Sequence, residues 1–234
     1  MTRAASLSRT IACAFVLTAV SVLMTEPASA ACNAKPGVGV DWTKCEKRRL
    51  NLSGTNLSKG IFKSTDFGRT DLKDATLTDA DLREANVSNA RLAGADLNGA
   101  KMEKIHGSRA NFQEAQMKGA DLTKAEMSRS DFSGADFSGA VMIKAELGRS
   151  VLAGAILDGA DLTRAEIARS DFEGASLDGT NLSQAYTYLT RFEGTDLSRT
   201  TGLVQQQVDA ACGDADTVLP AGLQRPASWP CPED

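Results

Sequence analysis

The sequence predicts an all-β solenoid, a chain wound into a coil with a corner every five residues. Stepping by five from Phe132, the 31 positions between 52 and 202 hold Leu, Phe, Met, Val or Ile in 28 cases, Gly107, Thr187 and Gly202 being the exceptions. Two residues earlier, positions 50 to 200 hold Ala, Ser, Thr or Gly in 29 of 31 cases, and only Leu50 and Ile105 depart. The phase never slips, as DFSGADFSGA at 131–140 illustrates, so the array carries no inserted loop. A disordered tract has no reason to keep such a phase. An α-helix fails because a five-residue stripe wanders around a 3.6-residue cylinder. One large and one small inward residue per five suit a corner: the large one fills the axis, and the small one lets the chain pass beside it.

The N-terminal element, 1–30, reads as a secretory signal. Arg3 and Arg9 open it, a 14-residue apolar run fills 11–24, and Ala28-Ser29-Ala30 fits a small-x-small cleavage site. The run is short for a membrane span, which leaves an uncleaved anchor as the lesser alternative and no span after cleavage. Removal of Arg3, Arg9 and Glu26 takes the net charge from −4 to −5, too mild to single out nucleic acid or an anionic membrane. Export, to the periplasm or the medium, makes Cys32, Cys45, Cys212 and Cys231 a disulfide set. Three pairings exist, and proximity favours Cys32–Cys45 and Cys212–Cys231, each worth about 3 kcal/mol. Lipidation of Cys32 is the alternative, although SAAC lacks the large apolar residue of such signals. A metal site is disfavoured by one histidine and no CxxC pair.

Residues 31–49 form an N-terminal cap. VDWTKCEKRRL already lies in the repeat phase, with Val40 in the small-residue place and Trp42 in the large one. Residues 50–202 are the coil itself. The phrases ADLNG, ADLTK, ADFSG, ADLTR and TDLSR resemble the A(D/N)LXX motif of the pentapeptide-repeat family, over about two thirds of the chain. The resemblance implies a right-handed quadrilateral β-helix with four pentapeptides per coil. It would have about eight coils and be roughly 35–40 Å long. Some cytoplasmic members mimic DNA and bind gyrase, and export removes this chain from such targets. Ile105 and Gly107 reverse the small-then-large order, which reads as a volume-conserving swap with a local kink.

A period of twenty sorts the outward residues into four faces. Gly follows the large residue by two on two of them, Gly134 and Gly139 for example, and there favours a turn with positive φ. On the other two faces Lys104, Lys124 and Lys144, and then Arg109, Arg129, Arg149 and Arg169, stand in that place, so two turn types are expected. Glu126, Glu146 and Glu166 precede the arginines, and pairs such as Glu126 with Arg129 should neutralise the face, giving a salt-bridged surface and no nucleic-acid track. The Gly-bearing faces lean acidic through Asp131, Asp136, Asp171 and Asp178. One coil differs: Val141, Val151 and Ile156 place apolar residues where Asp, Asn or Glu is usual, Ile143 sits next to Val141, and together the four are a candidate interaction patch.

Residues 203–234 form a C-terminal cap and tail. Leu203, Val204 and Val208 at helical spacing predict a short capping helix over the last coil, with Tyr186, Tyr188 and Leu189 packing against it. Catalytic chemistry is missing: His106 is alone, and the glycines follow the repeat and form no phosphate cradle. The reading is a non-enzymatic, cofactor-free exported solenoid that binds protein or acts as a scaffold in the envelope. A second copy of the chain is among its admissible partners. The alternative is a structural or protective envelope component with no single partner.

Overall fold

The computed structural model describes residues 31–231, so the expected signal at 1–30 lies outside the described residues. One pentapeptide shows why the chain coils. The N–H of Asp131 donates to Ala110 O (3.0 Å) in the coil before, and those of Phe132 and Gly134 donate to Val151 O (2.7 Å) and Ala153 O (3.0 Å) in the coil after. Ala135 N–H closes the corner on Phe132 O (2.9 Å). The remaining donor, Ser133 N–H, is taken by the Asp131 carboxylate (3.0 Å). All five donors are thus satisfied, which a buried backbone demands. Repetition gives parallel bridges between residues twenty apart, from Asp41↔Ile61 to Asn181↔Thr201, the ladder of a right-handed quadrilateral β-helix of about eight coils.

The core is two columns. Large residues such as Leu72, Met117, Phe132 and Leu162 are fully buried, and Ala at the small position sits beside them. Each large side chain withdrawn from water contributes about 1.5–3 kcal/mol. Phe112 and Phe132 stack at 5.1 Å along the axis. Where Ser or Thr replaces the inward Ala, its hydroxyl finds a core carbonyl: Thr65 donates to Trp42 O (2.6 Å) and Thr190 to Ile167 O (2.7 Å). Ile105 is buried, and a Cβ on Gly107 would meet Met127 and Val87 at 3.2–3.3 Å, so neighbours fill the space as the volume swap requires. No kink accompanies it. His106 N–H reaches Ala85 O at 2.9 Å and Gly107 N–H reaches Glu126 O at 2.8 Å, in unbroken register.

The expectation of two turn types is overturned. The third residue of the corner has positive φ on all four faces, in Gly134 (+66°) and Gly139 (+64°) but equally in Lys104 (57°), Arg109 (59°), Arg129 (62°) and Arg149 (61°). The ladder fixes this conformation: the corner must deliver its third N–H to the next coil whatever the side chain is. A non-Gly residue there gives up roughly 1 kcal/mol or more.

Both ends are closed. Cys32 is bonded to Cys45 and Cys212 to Cys231, the pairings that proximity favours. Trp42 lies over Phe62 (5.7 Å) and Phe67 (6.2 Å), its Nε1 donates to Ala34 O (3.1 Å), and Lys47 covers its ring at 4.0 Å. At the other end α1, Gln205–Ala210, buries Val208 against the last coil. Val204 is instead 53% exposed, because the helix is one short turn held chiefly by Gln207. That side chain donates to Leu182 O (2.9 Å) and Ala185 O (2.8 Å) and accepts from Val204 N–H (3.0 Å). Thr187, one of the three breaks in the large column, donates to Gln207 O (2.7 Å). Tyr186 and Tyr188 do not pack under the helix; they stack on each other at 6.3 Å and stay 56% and 45% exposed.

Gly139 has open space around its Cα, so Gly139→Val should lose about 1–2 kcal/mol through backbone conformation alone. Lys59→Gly, relieving a φ of 56°, should gain up to about 1 kcal/mol. Gln207→Leu leaves Ala185 O without a donor and Leu182 O with only the Ala185 N–H, and should cost roughly 1–3 kcal/mol. Urea midpoints of the three variants check these signs.

Candidate functional site

Outward side chains stand at three places in each pentapeptide: before the large residue, just after it, and at the corner. On the face that carries His106 they form three parallel columns. Glu126, Glu146 and Glu166 come first, then the small residues Ser128, Gly148 and Ala168, then Arg129, Arg149 and Arg169 at the corner. The small column leaves a trough of about 540 Å³, which extends down to Ser88 and includes Ser108 and Arg109.

The expected neutralisation of this face does not occur. Among the described residues none of Arg109, Arg129, Arg149 and Arg169 forms an ion pair. Glu126 takes His106 Nδ1 of the coil before at 2.9 Å. The acidic faces are the ones that recruit partners. Asp136 holds Lys118 (3.0 Å), Asp178 holds Arg199 (2.8 Å), and Asp71 holds Arg91. Charge is therefore compensated where the sequence suggested an acidic field, and left open where it suggested pairs.

At its upper end the trough meets an aromatic step. Tyr188 continues the small column and Tyr186 the glutamate column, one coil beyond Ala168 and Glu166. The Arg169 guanidinium lies 5.9 Å from the Tyr188 ring. Nothing in the local sequence marks this assembly, because its members are twenty residues apart.

The apolar positions of the 141–160 coil are not brought together. Val141 and Ile143 share one face, while Val151 and Ile156 lie on two others. Along the rod Val141 is bridged to Asp121 and Asp161, Val151 to Asp131 and Asp171, and Ile156 to Asp136 and Ser176. Each is an isolated apolar rung between polar ones. No group of His, Cys, Asp and Glu is placed to hold a metal ion among the described residues. No helix there is long and apolar enough to cross a membrane.

Comparison with known proteins agrees with this geometry. The family model for pentapeptide repeats matches in 8 copies between residues 51 and 201. No curated protein matches the chain. Among solved structures the chain is similar to HetL, a pentapeptide repeat protein involved in heterocyst differentiation regulation from the cyanobacterium Nostoc sp. strain PCC 7120. The TM-score is 0.57 at 25% identity, over 82% of this chain and 94% of that one. It is also similar in fold to QnrB1, a plasmid-mediated fluoroquinolone resistance protein, with TM-score 0.57 at 15% identity, over 77% and 91% of the two chains.

Acid should weaken the rod through its paired aspartates. Hydrogen bonding from Arg83 holds Asp81 below its ordinary value of 3.8. For Asp136 burial pushes upward, and the Ser138 hydroxyl and N–H together with Lys118 outweigh it. Carboxyls lowered by folding lend stability that is complete above the unfolded value and drains as the pH falls through the folded one. The melting temperature should hold between roughly pH 5 and 7 and fall below about pH 4. In Asp136→Asn, which keeps an acceptor for Ser138 but no charge for Lys118, that acid loss should shrink. Thermal melts across this range check both.

Proposed function

This chain belongs to the pentapeptide-repeat family, and we propose that it is an exported, non-enzymatic scaffold that acts by surface contact in the cell envelope, through its arginine trough. The uncompensated arginine column carries this reading. Gly serves the same corner on two other faces, as Gly134 and Gly139, with no positive-φ cost. Keeping four arginines there accepts both that cost and the repulsion of like charges stacked about 4.8 Å apart. A contact surface accounts for the retention. Export is supported by the apolar N-terminal run and by a disulfide at each end, the chemistry of an oxidising compartment. The girdle of Val141, Ile143, Val151 and Ile156 is the second surface to test, and the structural role without a partner is the competing reading.

The test is cosedimentation with washed envelopes, followed by crosslinking. Wild type and Val141→Asp/Ile156→Asp should be retained, and Arg129→Glu/Arg149→Glu should be released. Release of only the Val141/Ile156 variant would move the contact to the girdle. Equal retention of all three would favour the structural role.

A further inference from the structure

The two ends of the rod differ from each other and from its body. Residues 31–59, the N-terminal cap and first coil, carry six basic and two acidic side chains, a net charge of +4. Residues 181–234, the last coil and C-terminal cap, carry three basic and seven acidic ones, a net charge of −4. Apolar exposure follows the same division. Of nine large apolar side chains left exposed, Val38, Leu50 and Ile61 lie in the N-terminal cap and first two coils. Tyr186, Tyr188, Val204 and Val218 lie in the last coil and C-terminal cap, and only Val151 and Ile156 come between.

The main-chain edges differ as well. In the coils that follow the first, the residue before the large one donates its N–H downward, as Asp66 does to Cys45 O (2.9 Å) and Asp71 to Leu50 O (2.9 Å). Glu46, Asn51 and Asn56 hold that place in the first coil, and their N–H groups meet no acceptor among the described residues. The base is therefore an open edge rich in donors. Around it Lys44, Arg49 and Lys59 are exposed and form no ion pair among the described residues. At the top the cap takes the ladder donors: Leu189 N–H reaches Ala210 O (2.7 Å), Phe192 N–H Cys212 O (2.9 Å) and Leu197 N–H Val218 O (2.8 Å). What the top leaves open is acceptors, the exposed carboxylates of Asp209 and Asp216, which also form no ion pair there.

An acidic partner of another class would meet the base and leave the charge and apolar side chains of the top unaccounted for. A second copy of this chain accounts for both ends at once. The two surfaces are cross-sections of one quadrilateral coil, so their outlines match, and stacking in register aligns opposite partners. The corner column that starts at Arg49 and ends at Leu189 is continued by Ala210, beside Asp209. Val218 stands over Asp196 on one face. Val38 lies beneath the first rung of that same face, where Gly39 N–H holds Ser58 O at 2.9 Å.

We infer that the rod joins a second copy end to end, the N-terminal base of one on the C-terminal cap of the next. Arg49 then meets Asp209, and Val38 meets Val218. Such a contact is heterologous: each copy keeps one end free, so assembly grows along the rod axis and does not close at two. The inference goes beyond the trough, which faces sideways and stays open in the assembly. It takes residues 1–30 as removed, because they would start from the base at Ala31.

The experiment is sedimentation and small-angle scattering of the mature protein, residues 31–234, at rising concentration in low salt. Wild type should assemble past the dimer, lengthening by roughly 40 Å per copy, and high salt should reverse this. Lys44→Glu/Arg49→Glu and Asp209→Lys/Asp216→Lys should each weaken assembly by roughly tenfold or more. An equal mixture of the two variants should restore it, because each reversed end then meets an opposite charge. Arg129→Glu/Arg149→Glu in the trough should assemble as wild type does, so loss of envelope retention and loss of assembly are read separately. Circular dichroism melts establish that each variant is folded, since all these side chains are exposed. A protein that stays monomeric would overturn the inference, as would end reversals without effect or folded variants whose mixture fails to assemble. Assembly that stops at two would also overturn it, and would assign the contact to a two-fold pairing of like ends.

Discussion

Everything in this molecule follows from one accounting: each pentapeptide must place four backbone donors in the ladder and its corner, and a fifth on its outer face. Two neighbouring coils take three of them, the corner carbonyl takes one, and where Asp or Asn precedes the large residue its side chain takes the last. A sixth residue would arrive without a partner and misdirect every later one. That is why the phase is unbroken from end to end, and why the sign of φ at the corner does not bend to residue preference. The hydrophobic columns supply the driving force, but the hydrogen-bond ladder decides which backbone shapes are admissible.

Much of this was legible in the sequence because it is local. The period of five, the small-then-large order and the closing cysteines all lie within a few residues of one another. Gly107 yields to local reasoning only in part: Ile105 is buried two residues away, but Met127 and Val87 of the neighbouring coils close on the glycine. Two things were not legible, for a common reason. Several of the ion pairs join coils: Asp71 to Arg91, Lys118 to Asp136, Asp178 to Arg199. Glu126 and Arg129 are close in sequence, yet Glu126 takes His106 of the coil before and Arg129 forms no ion pair among the described residues. The positive φ of Arg109 or Lys104 was hidden because side-chain preference speaks for glycine there, and a cooperative ladder overrides a preference of about 1 kcal/mol. Gln207 escaped notice since it lies in a run of three glutamines and caps a helix whose N-cap residue, Val204, has no capping side chain.

The trough illustrates how function and stability part company. A surface optimised for the rod alone would carry Gly at the corners and pair its charges across coils, as two other faces do. The arginine column does neither over four successive coils, and it ends where the outward polar pattern gives way to stacked tyrosines. Local departures from what the fold prefers are where a binding surface is best sought.

The twenty-residue coil also shapes what mutation can do to the lineage. Loss of five residues would keep the core phase and satisfy every donor, so the fold would forgive it. Everything beyond the deletion, however, would turn by a quarter revolution, and the lower and upper arginines would end on different sides of the rod. Loss or gain of twenty would leave each column straight and merely shorten or lengthen it by one rung. Inheritance can therefore adjust the length of this surface like a ruler, in whole coils, while smaller steps that the fold tolerates are closed to it by the need to keep one side continuous.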